Sequence, residues 1–216
     1  MLNYETLKYD NDIGAGGLQD IHALIVFGKD YKGTFVDIGC RHPVNHSNTY
    51  FLEKYGWKGY AVDLANFDAE WKTSRPNTVY ENLNAFDVNY EEQFNALSDE
   101  PLIDFLSIDL EVPGDRFRIL ERVFETGYNF KAITIEHDNY CTLSNLEMNP
   151  QRQFLTAKGY TLVRKCDSIE DFWINPNYIN EDQYQVIMTY NDNNPEIHPW
   201  THLKNIGYDW THFYNI

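Results

Sequence analysis

Acidic side chains stand at the ends of successive short apolar runs. Asp37 and Gly39 close the first, Asp63 the second, Asp109 and Glu111 the fourth, and Glu136 and His137 the fifth, with Asp87 shortly after the third. In an open parallel sheet the ligand crevice lies at the carboxyl ends of the strands, so this placement gathers the acids at one mouth. Asp63 follows Asp37 at about the separation at which a second-strand carboxylate reaches a nucleoside ribose and accepts from both hydroxyls. The alternative for Asp63 is a solvated turn carboxylate. Asp109, Glu111, Glu136 and His137 are the candidate proton acceptors, Asp109 by position and His137 by its intrinsic pKa. A structural histidine bonded to backbone is the competing reading of His137. The same carboxylates with His137 could hold a divalent metal, the weaker reading, because acids cluster at strand ends without one.

The loop after the first run, Gly39-Cys40-Arg41-His42-Pro43-Val44, holds one glycine. A G-x-G-x-x-G loop exists so that backbone can approach a pyrophosphate, and Arg41, His42 and Pro43 would obstruct that approach. NAD and ATP are therefore poorly served. A phosphate-free nucleoside such as S-adenosylmethionine needs only donors and carboxylate acceptors near the first strand. Cys40 reads as a small residue tolerated beside such a donor rather than as a nucleophile. His42 and His46 read as loop residues.

Positioning these residues requires strands that alternate with helices, and the apolar spacing supplies them from about residue 17 to residue 165. A helix is expected over 17–27, with apolar residues at Leu18, Ile21, Leu24 and Ile25, ahead of the strand Thr34–Gly39. Ser47 is placed to cap a helix through Tyr50, Phe51 and Tyr55, stopped by Gly56. Further strands are expected at 59–63, 78–83, 103–108, 132–135 and 160–163. Helical spacing lies between them at Phe67 and Trp71, at Phe94 and Leu97, at Phe117 to Phe124, and around Phe154 and Leu155. Only the short turn Asp167-Ser168-Ile169 precedes Phe172-Trp173-Ile174, too little for a helical crossover, so the last pair must be antiparallel. The expected architecture is α/β, a mostly parallel sheet with helices on both faces and one antiparallel strand near the C-terminus. Residues 1–176 form that domain with an N-terminal helical extension. Residues 177–216 form an aromatic-rich tail packed on it, with a degenerate repeat at Trp200-Thr201-His202-Leu203 and Trp210-Thr211-His212-Phe213.

The 216 residues carry a formal charge of −16, and 16% of them are aromatic. The charge repels nucleic acid and anionic lipid, and the aromatic content argues against disorder. Cys40, Cys141 and Cys166 are too widely spaced to suggest a disulfide framework or a zinc knuckle. No stretch approaches the run of about eighteen apolar residues that a membrane span needs. The expectation is a cytoplasmic protein, with self-association left open.

Phe35-Val36-Asp37-Ile38-Gly39, Ser47-Asn48-Thr49, Leu52-Glu53 and Gly56-Trp57-Lys58-Gly59 resemble the opening of the FkbM-type S-adenosylmethionine-dependent methyltransferases. The resemblance continues in Ile103 to Glu111, in Ile133-Thr134-Ile135-Glu136-His137, and in Phe154-Leu155 followed by Gly159 to Val163. Leu18-Gln19-Asp20 is similar to a short motif that precedes the family's first strand. Two departures stand out: Cys40-Arg41-His42-Pro43 where the family usually has a small residue, a polar residue and a glycine, and Val112-Pro113-Gly114 where it usually has a glycine directly after the fourth strand's Asp-x-Glu. The resemblance implies a Rossmann-like methyltransferase fold and methyl transfer to a hydroxyl, often on a sugar, glycan or small molecule. Donor contacts would fall to Asp37, Gly39, Cys40, Arg41, Asn48, Asp63 and Asp109, with Asn84, Ala85 and Phe86 around the adenine. The alternative is a binding module that kept the fold and lost the donor.

Overall fold

Phe35 and Val36 are neighbours on one strand and enter different cores, as a period of two requires. A computed structural model of the chain describes residues 19–28, 30–138, 145–164 and 170–189. In chain order the elements are α1 (Gln19–Phe27), β1 (Thr34–Ile38), α2 (Tyr50–Lys54), β2 (Lys58–Asp63), α3 (Asp68–Ser74), β3 (Thr78–Asn82) and a 3-10 turn (Ala85–Asp87). Then follow α4 (Tyr90–Leu97), β4 (Leu102–Ile108), α5 (Asp115–Glu125), β5 (Asn129–Glu136), α6 (Asn145–Ala157), β6 (Thr161–Arg164), β7 (Glu170–Ile174), a second 3-10 turn (Pro176–Tyr178) and α7 (Glu181–Thr189).

The seven strands pair in the order β3-β2-β1-β4-β5-β7-β6. β1 to β5 are mutually parallel, and β7 runs antiparallel to both β5 and β6. This is the Rossmann-like methyltransferase arrangement. Its reversed strand is inserted between β5 and β6, not left at the edge. Strand order changes direction between β1 and β4, which puts the switch point beside Gly39 and Asp109.

Phe35 and Phe105 face one layer, with Leu24 of α1, Leu52 of α2 and Ile187 of α7. Val36, Ile38, Leu106 and Ile108 face the other, with Phe94 of α4, Leu120 and Val123 of α5 and Leu155 of α6. At the opposite end of the sheet from the acids, Asp104 accepts from the Thr34 amide (2.8 Å), the Tyr31 hydroxyl (2.7 Å) and the Lys131 ammonium (2.8 Å). That carboxylate ties together the starts of β1, β4 and β5.

Three elements differ from expectation. The helix after β1 begins at Tyr50 with Thr49 at the capping position, because the Ser47 hydroxyl is taken by Arg75. β5 begins earlier, at Asn129. α7 falls in the stretch expected only as an aromatic-rich tail, with no helix assigned to it. It is opened by a reciprocal capping box, in which the Gln183 amide donates to the Asn180 side chain (2.8 Å) and the Asn180 amide to Gln183 (3.1 Å). Cys141, Cys166, the turn at 167–169 and the Trp200 and Trp210 repeat lie outside the described residues.

Close packing at the β1–β2 register predicts one sensitive position. A Cβ on Gly59 would lie 2.1 Å from the Phe35 ring, which is itself fully buried. Gly59→Ala is expected to lower stability by about 1–3 kcal/mol in urea unfolding, and Phe35→Leu to recover part of the loss in the double variant.

Candidate active site

The loop after β1 is fixed atom by atom. Gly39 has φ +86°, and a Cβ there would lie 1.9 Å from the Asp109 carbonyl oxygen, so only glycine lets the ends of β1 and β4 meet. The Gly39 amide donates to the Val62 carbonyl at 2.9 Å. Cys40 is buried against Ala61 and Trp71, and burial pushes its thiol pKa up, as suits an inert packing residue. Arg41 is left-handed at φ +46°. Its amide donates to the Asp63 carboxylate (2.8 Å), and its carbonyl accepts from the Trp71 indole (2.9 Å). His42 turns inward, its Nδ1 accepting from the amides of Val44 (3.1 Å) and Asn45 (3.0 Å).

Beneath this loop lies Arg75, the residue after α3. Its guanidinium donates to Glu53 (2.6 Å), the Pro43 carbonyl (2.9 Å), the Ser47 hydroxyl (3.1 Å), and the carbonyl and hydroxyl of Thr49 (3.1 Å each). It stacks 4.8 Å over the Trp71 ring. The Thr49 hydroxyl donates to Asp37 at 2.7 Å, so the chain of contacts runs from α3 to the middle of the sheet. The other Asp37 oxygen, buried, has no hydrogen-bond partner among the described residues. Burial raises the Asp37 pKa to about 7, against the Thr49 hydrogen bond and the Arg75 charge and with the help of Asp109 and Asp63.

The acids expected at the mouth form two groups. In the first, half-buried Asp63 has each oxygen bonded by a backbone amide, from Arg41 (2.8 Å) and Ala65 (2.7 Å), which orients the carboxylate while leaving further lone pairs open. In the second, the Asn48 amide donates to Asp109 (3.1 Å) and to the Ser107 hydroxyl (3.2 Å), and Asp109 is hydrogen-bonded to Glu136. The Glu136 pKa is pushed up to about 10, first by burial and then by the Asp109 charge and hydrogen bond, with Arg116 opposing. The two carboxyls therefore share a proton at neutral pH, and the pair titrates as a unit.

Buried Arg116 holds Glu136 (2.7 Å), Asp138 (2.6 Å) and Glu147 (2.9 Å). Sequence reasoning missed Arg116 and Arg75. The signal for Arg116 is a charge on the apolar stripe of α5, in line with Ile119, Leu120 and Val123.

The remaining expected residues are spread around these groups. His137 follows Glu136 but is fully buried beside Asp171, its Nε2 3.8 Å from a carboxylate oxygen that Arg152 also holds. Glu111 lies at the rim and pairs with Arg41 at 3.3 Å. Asn84 caps the 3-10 turn by accepting from the Phe86 amide (3.0 Å). Ala85 is buried, and Phe86 lies 4.5 Å beneath the Arg118 guanidinium. Among the described residues no three of His, Cys, Asp and Glu are grouped so as to hold a metal ion, and no helix is long and apolar enough to cross a membrane.

No family model and no curated protein matches the chain. Among solved structures it is similar to a 1,6-didemethyltoxoflavin-N1-methyltransferase from Burkholderia thailandensis bound to S-adenosylhomocysteine. Identity is 10% and the TM-score 0.47, over 73% of this chain and 76% of that one. It is also similar to a protein of the NADB-Rossmann superfamily from Streptococcus agalactiae (12%, TM-score 0.46, 77% and 72%). A third similar structure is the fibrillarin/Nop5p complex (13%, TM-score 0.47, 71% and 79%). These are likenesses of fold at low identity.

Two expectations follow. Arg75→Met leaves the Glu53 carboxylate buried without its cation, and should cost about 3–5 kcal/mol in denaturant unfolding. Asp37 binds more protons folded than unfolded between its ordinary value of 3.8 and about 7, so its contribution to stability falls as pH rises through that window. Asp37→Asn, which still offers Thr49 an acceptor, should remove this slope. Unfolding midpoints at pH 5 and pH 8 should show the variant gaining on the wild type as pH rises, whereas parallel profiles would contradict it.

Proposed function

We propose that the protein is an S-adenosylmethionine-dependent methyltransferase that acts on a hydroxyl of a sugar, glycan or other small molecule. The observation that carries this reading is the Asp63 carboxylate, set by two backbone amides at the end of β2 with lone pairs left to accept the two hydroxyls of a ribose. The acid-rich mouth supports it further. Asp63 and the charge on the Asp109–Glu136 pair favour a donor whose reacting centre is a cation and disfavour the phosphates of NAD or a nucleotide sugar. The net charge of −16 argues in the same way against nucleic acid as the acceptor.

In this reading Asp63 grips the ribose, Asn84, Ala85 and Phe86 flank the adenine, and the loop from Gly39 to Asn48 lies along the amino-acid end. Catalysis is mainly alignment of the acceptor oxygen behind the methyl carbon. The oxygen–carbon bond forms as the carbon–sulfur bond breaks, and the acceptor's proton passes to Asp109. Asn48 and Glu136 hold Asp109 in place, and Arg116 holds Glu136. His137, beside Asp171, acts as a positioning residue for the end of β5.

Calorimetric titration tests the reading. S-adenosylmethionine and S-adenosylhomocysteine should both bind and raise the thermal midpoint, NADH should do neither, and Asp63→Ala should weaken both ligands at least about ten-fold. Absence of heat and of stabilisation with either ligand would overturn the reading and leave the fold as a binding module without the donor.

A further inference from the structure

Resting on that reading, we infer that Arg41 and Glu111 form an exchangeable ion pair across the crevice, and that the Arg41 guanidinium takes the α-carboxylate of the donor's amino-acid end when Glu111 lets it go. Three features of Arg41 lead to this. Its backbone is pinned on both sides, the amide by Asp63 and the carbonyl by Trp71, so the root of the side chain cannot drift. Its φ of +46° is a left-handed conformation that strains a non-glycine residue, and such outliers gather where a site uses them. Its side chain is 69% exposed and, among the described residues, pairs with Glu111, itself 81% exposed, at 3.3 Å.

The other guanidiniums around this mouth are differently placed. Arg75 and Arg116 are each 1% exposed and enclosed by their own carboxylates or carbonyls, and the exposed Arg118 lies over Phe86, on the adenine side, where it pairs with Asp115. An incoming carboxylate therefore meets repulsion from Asp63 and from the charge left on the Asp109–Glu136 pair, and an accessible cation at Arg41. The donor's amino-acid end is a zwitterion. Its ammonium is suited to the acids at the end of β4, and its carboxylate to the cation that spans from the β1 loop to the β4 loop. An ion pair between exposed side chains is weak enough to be displaced by a ligand. Glu111 is then an internal competitor for the same guanidinium, a role that makes opposite predictions for the two partners.

The test compares two ligands that share the nucleoside and differ in the arm. S-adenosylhomocysteine carries the carboxylate, and 5′-methylthioadenosine lacks the whole amino-acid end. Arg41→Met should weaken S-adenosylhomocysteine about five- to ten-fold and 5′-methylthioadenosine less than about two-fold. Glu111→Gln should tighten S-adenosylhomocysteine about two- to three-fold and leave 5′-methylthioadenosine unchanged, and Arg41→Lys should restore part of the loss. Equal weakening of both ligands by Arg41→Met, or weakening of neither, would overturn the assignment while the nucleoside site stands. Failure of the wild-type protein to bind either ligand would instead overturn the methyltransferase reading, and this inference with it.

Discussion

One buried guanidinium sets the shape of the loop on which the site is built. Arg75 is 1% exposed, and moving its charge out of water costs several kcal/mol unless every hydrogen-bonding direction is met. Its surroundings meet that demand: a carboxylate on Glu53, two carbonyls, two hydroxyls, and the faces of Trp71, Phe35 and Tyr50. Glu53 is itself held by the Asn77 amide at 2.8 Å. Because the acceptors come from residues 43 to 53 and the donor from the end of α3, the segment after β1 cannot move without leaving a buried charge unmatched. A loop with a single glycine thus gains from side chains the definition that a glycine-rich loop gains from helix amides.

The second buried arginine organises the other half of the mouth. Arg116 draws Glu136, Asp138 and Glu147 together, and Glu136 in turn bonds Asp109. Crowding carboxylates around one cation leaves a surplus of negative charge, which a shared proton relieves in part. The two arginine networks converge at the switch point, where Gly39 lies against the Asp109 carbonyl. The result is a rigid acidic floor under a softer rim, in which the exposed pair of Arg41 and Glu111 is the part most easily rearranged.

Much of this was legible in the sequence because it follows from short-range patterns. β-branched runs ending in Asp37, Asp63 and Asp109 mark β1, β2 and β4, and the short connection after residue 164 requires the antiparallel pairing of β6 and β7. The structure also brings Asp109 and Glu136 together, as their placement at neighbouring strand ends implies, and Asn48 reaches Asp109 from the loop after β1. The arginine networks were not legible. Arg75 meets partners 22 to 32 residues away, and hydropathy does not distinguish an enclosed guanidinium from a solvated one. His137 is a candidate proton acceptor by its intrinsic pKa, yet consecutive residues at a strand end diverge, and its ring lies buried beside Asp171. α7 was hidden by its polarity, although the pairing of Asn180 with Gln183 is a readable start signal.

If the proposed function holds, the crevice at the ends of β1, β2 and β4 takes a phosphate-free nucleoside donor. Hydrogen–deuterium exchange with and without S-adenosylhomocysteine measures this directly, because a ligand in this crevice covers backbone amides of the β1, β2 and β3 loops. Slower exchange is expected, confined to residues 39–49, 63–65 and 84–86. Unchanged exchange at those amides with saturating ligand, or protection appearing only elsewhere, would contradict it.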